Sequence, residues 1–222
     1  MIRLFQDGGP FMWVLLIWSI MVIGFFLERL VTYIRLRKEG EIAEVTGDLV
    51  AQVEGGASLD EVMEHCRGLK RLEGEVFGIG VERYEHLSTE RRTLEEMRAE
   101  MNGTVERAAL GYLERYLPVL QFVASTSVLL GLLGTVRGMI VAFRGIAEKG
   151  LGEPTIVAAG ISEALITTVT GLSIAVPALA VYAYYSGRAE SKAIQFEPYG
   201  HLFVDALLRR LSRSQATAAA EA

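Results

Sequence analysis

Glu163 is the one residue between Pro154 and Gly187 that is charged at neutral pH. A glutamate can take and release a proton, and hydroxyls follow this one closely at Thr167, Thr168 and Thr170. The run is long enough to cross a bilayer, for which about 20 apolar residues suffice. A carboxylate at that depth is costly, so it belongs against a helix bundle or a wet cavity, not against lipid. At about 100° per residue, Glu163, Thr167, Thr170 and Gly171 share a stripe with Gly160 at its edge, and Leu165, Leu172 and Leu179 lie opposite. One small, polar, acidic side and one bulky apolar side suggest a pore lining or a polar subunit contact.

A second uncharged run, Leu117–Val136, ends on Arg137. Ser127, Gly131 and Thr135 recur at four-residue steps, with Gly134 and Gly138 beside them. Small residues let membrane helices approach closely, because lipid supplies no hydrophobic drive for them to associate. Gly131, Gly134, Gly138, Gly160 and Gly171 are therefore expected to be packing positions. Arg137 precedes Phe143 by six residues, about 9 Å of helix, and Glu163 follows Thr155 by eight, about 12 Å. The similar depths suggest an Arg137–Glu163 ion pair, within one subunit or across a boundary; the plain alternative is that Arg137 snorkels to the headgroups. Thr135, Thr167 and Thr168 would lie near the carboxylate. Their hydroxyls could relay protons or order water, or simply bond back to their own helices.

Elements that position these groups follow from composition. The chain has 222 residues, a mean hydropathy of +0.31 and a third uncharged run, Phe11–Leu27. This predicts an all-α, polytopic membrane protein with three transmembrane helices. Phe11–Leu27 reads as a retained first span, because Glu28-Arg29 and the basic residues after it form a stop-transfer flank and no A-x-A-like site follows. Trp13 and Trp18 are expected as interfacial anchors. Residues 1–38 form the N-terminal end and first span, 39–116 a helical segment, 117–187 the channel module, and 188–222 a C-terminal helix and tail.

Within 39–116 there are 18 acidic and 9 basic side chains. Gly55-Gly56, Gly68, Gly74, Gly78 and Gly80 are expected to break it, leaving Leu59–Arg67 and Arg83–Arg115 helical, with a cap near Ser88-Thr89-Glu90-Arg91. After Pro198-Tyr199-Gly200 a short helix, His201–Ser212, is expected, and then a disordered tail from Ser214. Arg144–Glu153 should be the turn between the second and third spans. Arg29, Arg35, Arg37, Lys38, Arg107, Arg115, Arg188 and Lys192 flank one side of the spans, against Arg3, Arg144 and Lys149 on the other. That asymmetry puts 39–116 and the C-terminus inside the cell and the N-terminus outside; carboxylates weigh little in this rule.

The net charge of −5 gives no ground for a nucleic-acid partner, and the single Cys66 excludes an intramolecular disulfide. Glu64-His65-Cys66 has no second ligand cluster, so no metal or other cofactor is expected. No HExxH, GxSxG or Walker loop is present, which argues against an enzyme and leaves no catalytic residue to name.

Two stretches in this order, Gly131-Leu-Leu-Gly-Thr135-Val-Arg-Gly138 and Gly160-Ile-Ser-Glu163-Ala-Leu-Ile-Thr-Thr168-Val-Thr-Gly171, resemble the MotA/TolQ/ExbB proton-channel family. The opening Gly8-Gly9-Pro10-Phe-Met-Trp13, running on to Glu28-Arg29-Leu30, resembles its ExbB/TolQ branch, and three spans instead of four set it apart from the MotA branch. The resemblance implies a ring of five chains around a dimer of an ExbD/TolR-type single-span protein in the bacterial inner membrane. Such a complex, driven by proton motive force, would act through a TonB/TolA-type protein on uptake or envelope maintenance. By motif position Thr135 and Thr168 match the family's pore threonines and Glu163 its intramembrane glutamate. Arg137 stands where the members are uncharged, and Thr167 is an added hydroxyl. The competing reading is a non-conducting membrane scaffold that binds a single-span partner.

Overall fold

In the computed structural model residues 8–69, 71–90, 92–149 and 154–220 are described. Arg3, the Arg91 of the expected cap, residues 150–153 of the expected outer turn and the last two residues of the tail lie outside them.

All secondary structure among the described residues is helical. Long uncharged runs give α1 (Phe11–Arg35), α6 (Leu117–Lys149) and the start of α7 (Pro154–Ala220). These three are long and apolar enough to cross a membrane. Between the first two lie α2 (Glu39–Glu54), α3 (Leu59–Leu69), α4 (Leu72–Ser88) and α5 (Leu94–Glu114). With 67 residues, α7 is about 100 Å long against a hydrocarbon layer of about 30 Å, so most of it must lie outside the bilayer.

The chain divides into two compact units. One comprises Met1–Thr32 and Tyr116–Ser186, the other Tyr33–Arg115 and Gly187–Ala222.

In the first unit α6 and α7 pack antiparallel through small residues. A Cβ on Gly138 would stand 2.6 Å from the Gly160 carbonyl oxygen, and one on Gly171 would stand 2.5 Å from that of Ser127. The match moves eleven residues back on α6 as it moves eleven forward on α7. Ala124, Ser127, Ala142, Ala164, Ala175 and Ala178 are buried here too. Helix α1 is tied to α6 by Trp18, whose indole N–H donates to Thr126 Oγ1 at 2.9 Å. Trp18 thus makes a helix–helix contact, which the expectation of an interfacial anchor did not include, while Trp13 is 65% exposed.

The second unit has a core of large side chains. The Phe77 ring lies 5.3 Å from Phe196 and 4.7 Å from Phe203, centroid to centroid. Leu49, Val62, Leu87, Met97, Met101 and Leu207 are buried in the same unit.

Several sequence expectations fail here for identifiable reasons. Gly55-Gly56 does end a helix, and Gly56 has a left-handed φ of 87°. Gly74, Gly78 and Gly80, however, lie inside α4. A Cβ on Gly74 would strike the Cys66 carbonyl, so that glycine serves close packing; at Gly78 and Gly80 a Cβ would meet only ordinary contacts, and both lie in the helix without breaking it. Gly68 likewise lies within α3. The α5 cap is Thr93, not Ser88 or Thr89: its hydroxyl accepts from the Glu96 N–H at 3.3 Å while the Glu96 carboxylate accepts from the Thr93 N–H at 3.0 Å. This hydrogen bonding holds the exposed Glu96 carboxyl below its usual range, chiefly through the Thr93 backbone N–H.

The break at Pro198-Tyr199-Gly200 is absent, because α7 runs through it and on to Ala220, well into the expected disordered tail. Buried Phe196, Gly200, Phe203 and Val204 brace α7 on both sides of the exposed Pro198. Arg144–Lys149, expected as part of the outer turn, belong to α6 instead.

Candidate functional site

The glycine packing of α6 on α7 brings their polar groups together. Arg137 on α6 and Glu163 on α7 form a salt bridge from Nη1 to Oε1, with the carboxylate side chain 19% exposed and the guanidinium 40%. In a low-dielectric layer a bare carboxylate is far costlier than a paired one, and the guanidinium supplies the opposite charge within the same chain.

A turn from the N-terminus covers this pair. Gly9 has a φ of 70°, in the left-handed region that glycine tolerates. A Cβ there would collide with both the Glu163 carboxylate and the Arg137 guanidinium. Gly8 has no room for one either, because Met12 and Ile166 occupy the space. Thr167 Oγ1 lies 2.9 Å from the Gly8 carbonyl and 2.8 Å from that of Glu163; its single hydrogen serves one at a time. Gly8 and Gly9 are therefore part of the site. The doubled glycine before Pro10 was the available sequence signal, and its partner on α7 was not legible from it.

The expected threonines have different surroundings. Thr167 is 1% exposed and packed into the groove left by Gly134, so in this chain it faces neither water nor lipid. Thr168 is half-buried, and its hydroxyl donates across to the Gly131 carbonyl at 3.0 Å or back to Ala164 at 3.2 Å. Thr135 is half-buried and donates to Leu132 of its own helix at 2.6 Å. The expected helical stripe is also turned: Gly160, Ala164, Thr167 and Gly171 are its buried members, while Glu163 and Thr170 lie at the edge. Gly131, Gly134, Gly138, Gly160 and Gly171 all meet the opposing helix.

At the other end of α1, Arg29 is 2% exposed. Its Nε donates to Glu28 at 2.6 Å and its guanidinium lies 5.2 Å from the Tyr116 ring centroid. Thr32 donates to Glu28 at 2.9 Å. In this cluster, expected merely as an interfacial flank, the guanidinium is buried while Glu28 stays 37% exposed; adjacent opposite charges in the sequence gave no sign of the burial of Arg29.

The Glu64-His65-Cys66 trio is not assembled as a ligand set. His65 bonds Gln52, and Cys66 is buried separately, with burial pushing its thiol up to about 11. A thiol held so far from ionisation is a poor metal ligand near neutral pH.

Three apolar crossings, with a charge pair and hydroxyls where the second meets the third, define a polytopic helical membrane protein holding ionisable chemistry inside its bundle. Residues 69–198, which include both glycine–threonine stretches and the charge pair, match the MotA/TolQ/ExbB proton channel family. The chain belongs to that family, whose members are channel proteins and not enzymes.

Named relatives divide between two systems. A "Tol-Pal system protein TolQ" of Pseudomonas aeruginosa is 40% identical over 46% of this chain and 44% of its own length. Its Haemophilus influenzae namesake is 38% identical over 54% and 49%. A "Biopolymer transport protein ExbB" of Pseudomonas putida is 31% identical over 76% and 53%. The chain thus spans about half the length of these relatives.

Proposed function

We propose that this chain is the proton-channel stator subunit of an ExbB–ExbD/TolQ–TolR-type motor, converting proton motive force into work on TonB-dependent transport or Tol-Pal function. The observation that carries the reading is Glu163, held by Arg137 at a glycine-packed seam between two otherwise apolar crossings. One charge moved through 100 mV releases about 2.3 kcal/mol, and using it requires a protonatable group at this kind of depth. Glu163 and the half-buried Thr135 and Thr168 are the residues assigned to the proton path. Thr167 forms its wall, bonding the Gly8 turn behind the carboxylate.

A closed ring of identical chains, five by family resemblance, would present equivalent seams to a central dimer of single-span partners. The large apolar residues left exposed on α6 and α7, among them Leu129, Leu132, Val136, Val169 and Val176, suit lipid or neighbouring copies. The excess of basic residues beside α1, α5 and α7 supports an inner-membrane protein with its N-terminus periplasmic and its 39–116 segment and C-terminus cytoplasmic.

The test is proton flux in vesicles carrying the chain with its single-span partner. Glu163→Gln is expected to cut flux at least tenfold with the complex intact, and Thr168→Val to cut it less. Unchanged flux in Glu163→Gln would remove the carboxylate from the path. A second reading, a non-conducting scaffold, draws on the same geometry: Thr167 is sealed and Glu163 is already paired. In that case wild-type vesicles would show no flux, and Glu163→Gln would lower partner recovery instead.

A further inference from the structure

In the second unit, Glu73 is 1% exposed, and neither of its carboxylate oxygens has a hydrogen-bond partner among the described residues. It lines a cavity of about 20 Å³ together with Arg37, Glu39, Lys192, Gln195 and Phe196. As the second residue of α4, Glu73 sits where the helix dipole favours a negative charge. A buried carboxylate without a partner nonetheless carries a desolvation cost. Lys192 does not meet that cost in this structure: its Nζ donates to Gln195 Oε1 at 2.9 Å, and no hydrogen bond from it reaches the Glu73 oxygens.

The cavity therefore has an anionic floor, and its walls carry two cationic side chains, Arg37 and Lys192, against the one carboxylate of Glu39. A space of this size holds one water-sized group. A primary ammonium fits that size, carries the complementary charge and offers three donors to two bare oxygens. A trimethylammonium is too large and has no N–H to donate. Whatever is attached to the ammonium must suit Arg37 and Lys192, so it should be anionic. Arg37 stands two residues past the end of α1 at Arg35, and Lys192 five residues past Gly187, the close of the long apolar run of α7. At up to about 3.5 Å per extended residue and about 1.5 Å per helical one, each is within about 8 Å of those ends, close to the 5–8 Å thickness of one polar headgroup layer.

We propose that this cavity binds the headgroup of an aminophospholipid, with the ammonium on Glu73 and the phosphodiester against Arg37 and Lys192. The site does not depend on proton conduction. It would tie the first and last membrane helices, through the α1–α2 joint, α4 and α7, to the chemistry of the surrounding lipid.

The experiment is native mass spectrometry of the purified full chain titrated with short-chain phosphatidylethanolamine, phosphatidylcholine or phosphatidylglycerol. Phosphatidylethanolamine is expected to bind at least tenfold tighter than phosphatidylcholine, and also tighter than phosphatidylglycerol. Glu73→Gln should bring the first preference to within twofold. Arg37→Gln with Lys192→Gln should weaken phosphatidylethanolamine binding severalfold. Equal binding of the ethanolamine and choline lipids by the wild-type chain would overturn the proposal without any variant having to fold. So would phosphatidylglycerol binding as tightly as phosphatidylethanolamine, or a preference that survives Glu73→Gln.

Discussion

The two units of this chain pack by opposite means. Around Phe77 the core is made of large side chains, Phe196, Phe203, Met97, Met101 and Leu87. Between α6 and α7 it is made of almost nothing: glycines set against backbone, with Ala142, Ala164 and Ser127 between them. The environments explain the contrast. A unit in water gains by removing large apolar groups from solvent. In lipid that gain is absent, so helices hold together by close approach, dispersion and hydrogen bonds. The same close approach lets Arg137 reach Glu163, which two helices kept apart by leucines would not allow. A bulky core gives stability, while a glycine seam gives proximity between polar groups.

Substitutions should expose that difference. Removing a large side chain should harm the second unit most. Phe77→Ala is expected to cost about 3–5 kcal/mol, seen as faster hydrogen exchange across α3–α5. In the membrane unit the damaging change is to add atoms. Gly138→Ala places a methyl on the Gly160 carbonyl and should cost about 1–3 kcal/mol, read as a lower melting temperature in detergent. If Gly138→Ala were neutral while Phe77→Ala was severe, the seam would be looser than its geometry states. The smallest effect, about 1 kcal/mol, is expected from Thr93→Ala, which removes the α5 capping box and should show as fraying at Leu94–Met97 by hydrogen exchange.

The legible parts of the fold follow the same division. The three apolar runs could be read directly, because crossing a bilayer demands a length and a composition that few other tasks require. In the water-exposed segment local signals misled. Gly74, Gly78 and Gly80 look like breaks, since glycine is a poor helix former in isolation. Packing against Cys66, Val105 and Phe203 outweighs that propensity. Pro198 misled in the same way within a helix braced on both sides.

The candidate site shows the same limit. The types and spacing of Arg137, Thr135, Glu163, Thr167 and Thr168 picked out two helices and an approximate depth. They could not say which threonine is sealed, because a helical wheel does not indicate where the neighbouring helix sits. Nor could they show that Gly8 and Gly9 close over Glu163, a contact that joins residues more than 150 positions apart.

By itself the sequence determined that this chain is helical, that three stretches can cross a membrane, and that one of them carries a carboxylate near small and hydroxylated neighbours. Those properties are written in local composition and period. The tertiary structure chose the Arg137–Glu163 pair that matching depths suggested over snorkelling of Arg137, and it alone decided that Glu163 is roofed, that Thr167 is interior, that Arg29 is buried and that Glu73 is enclosed without a partner. Each of these depends on the few ångströms separating groups distant in the chain, and that separation is fixed by how closely the helices pack.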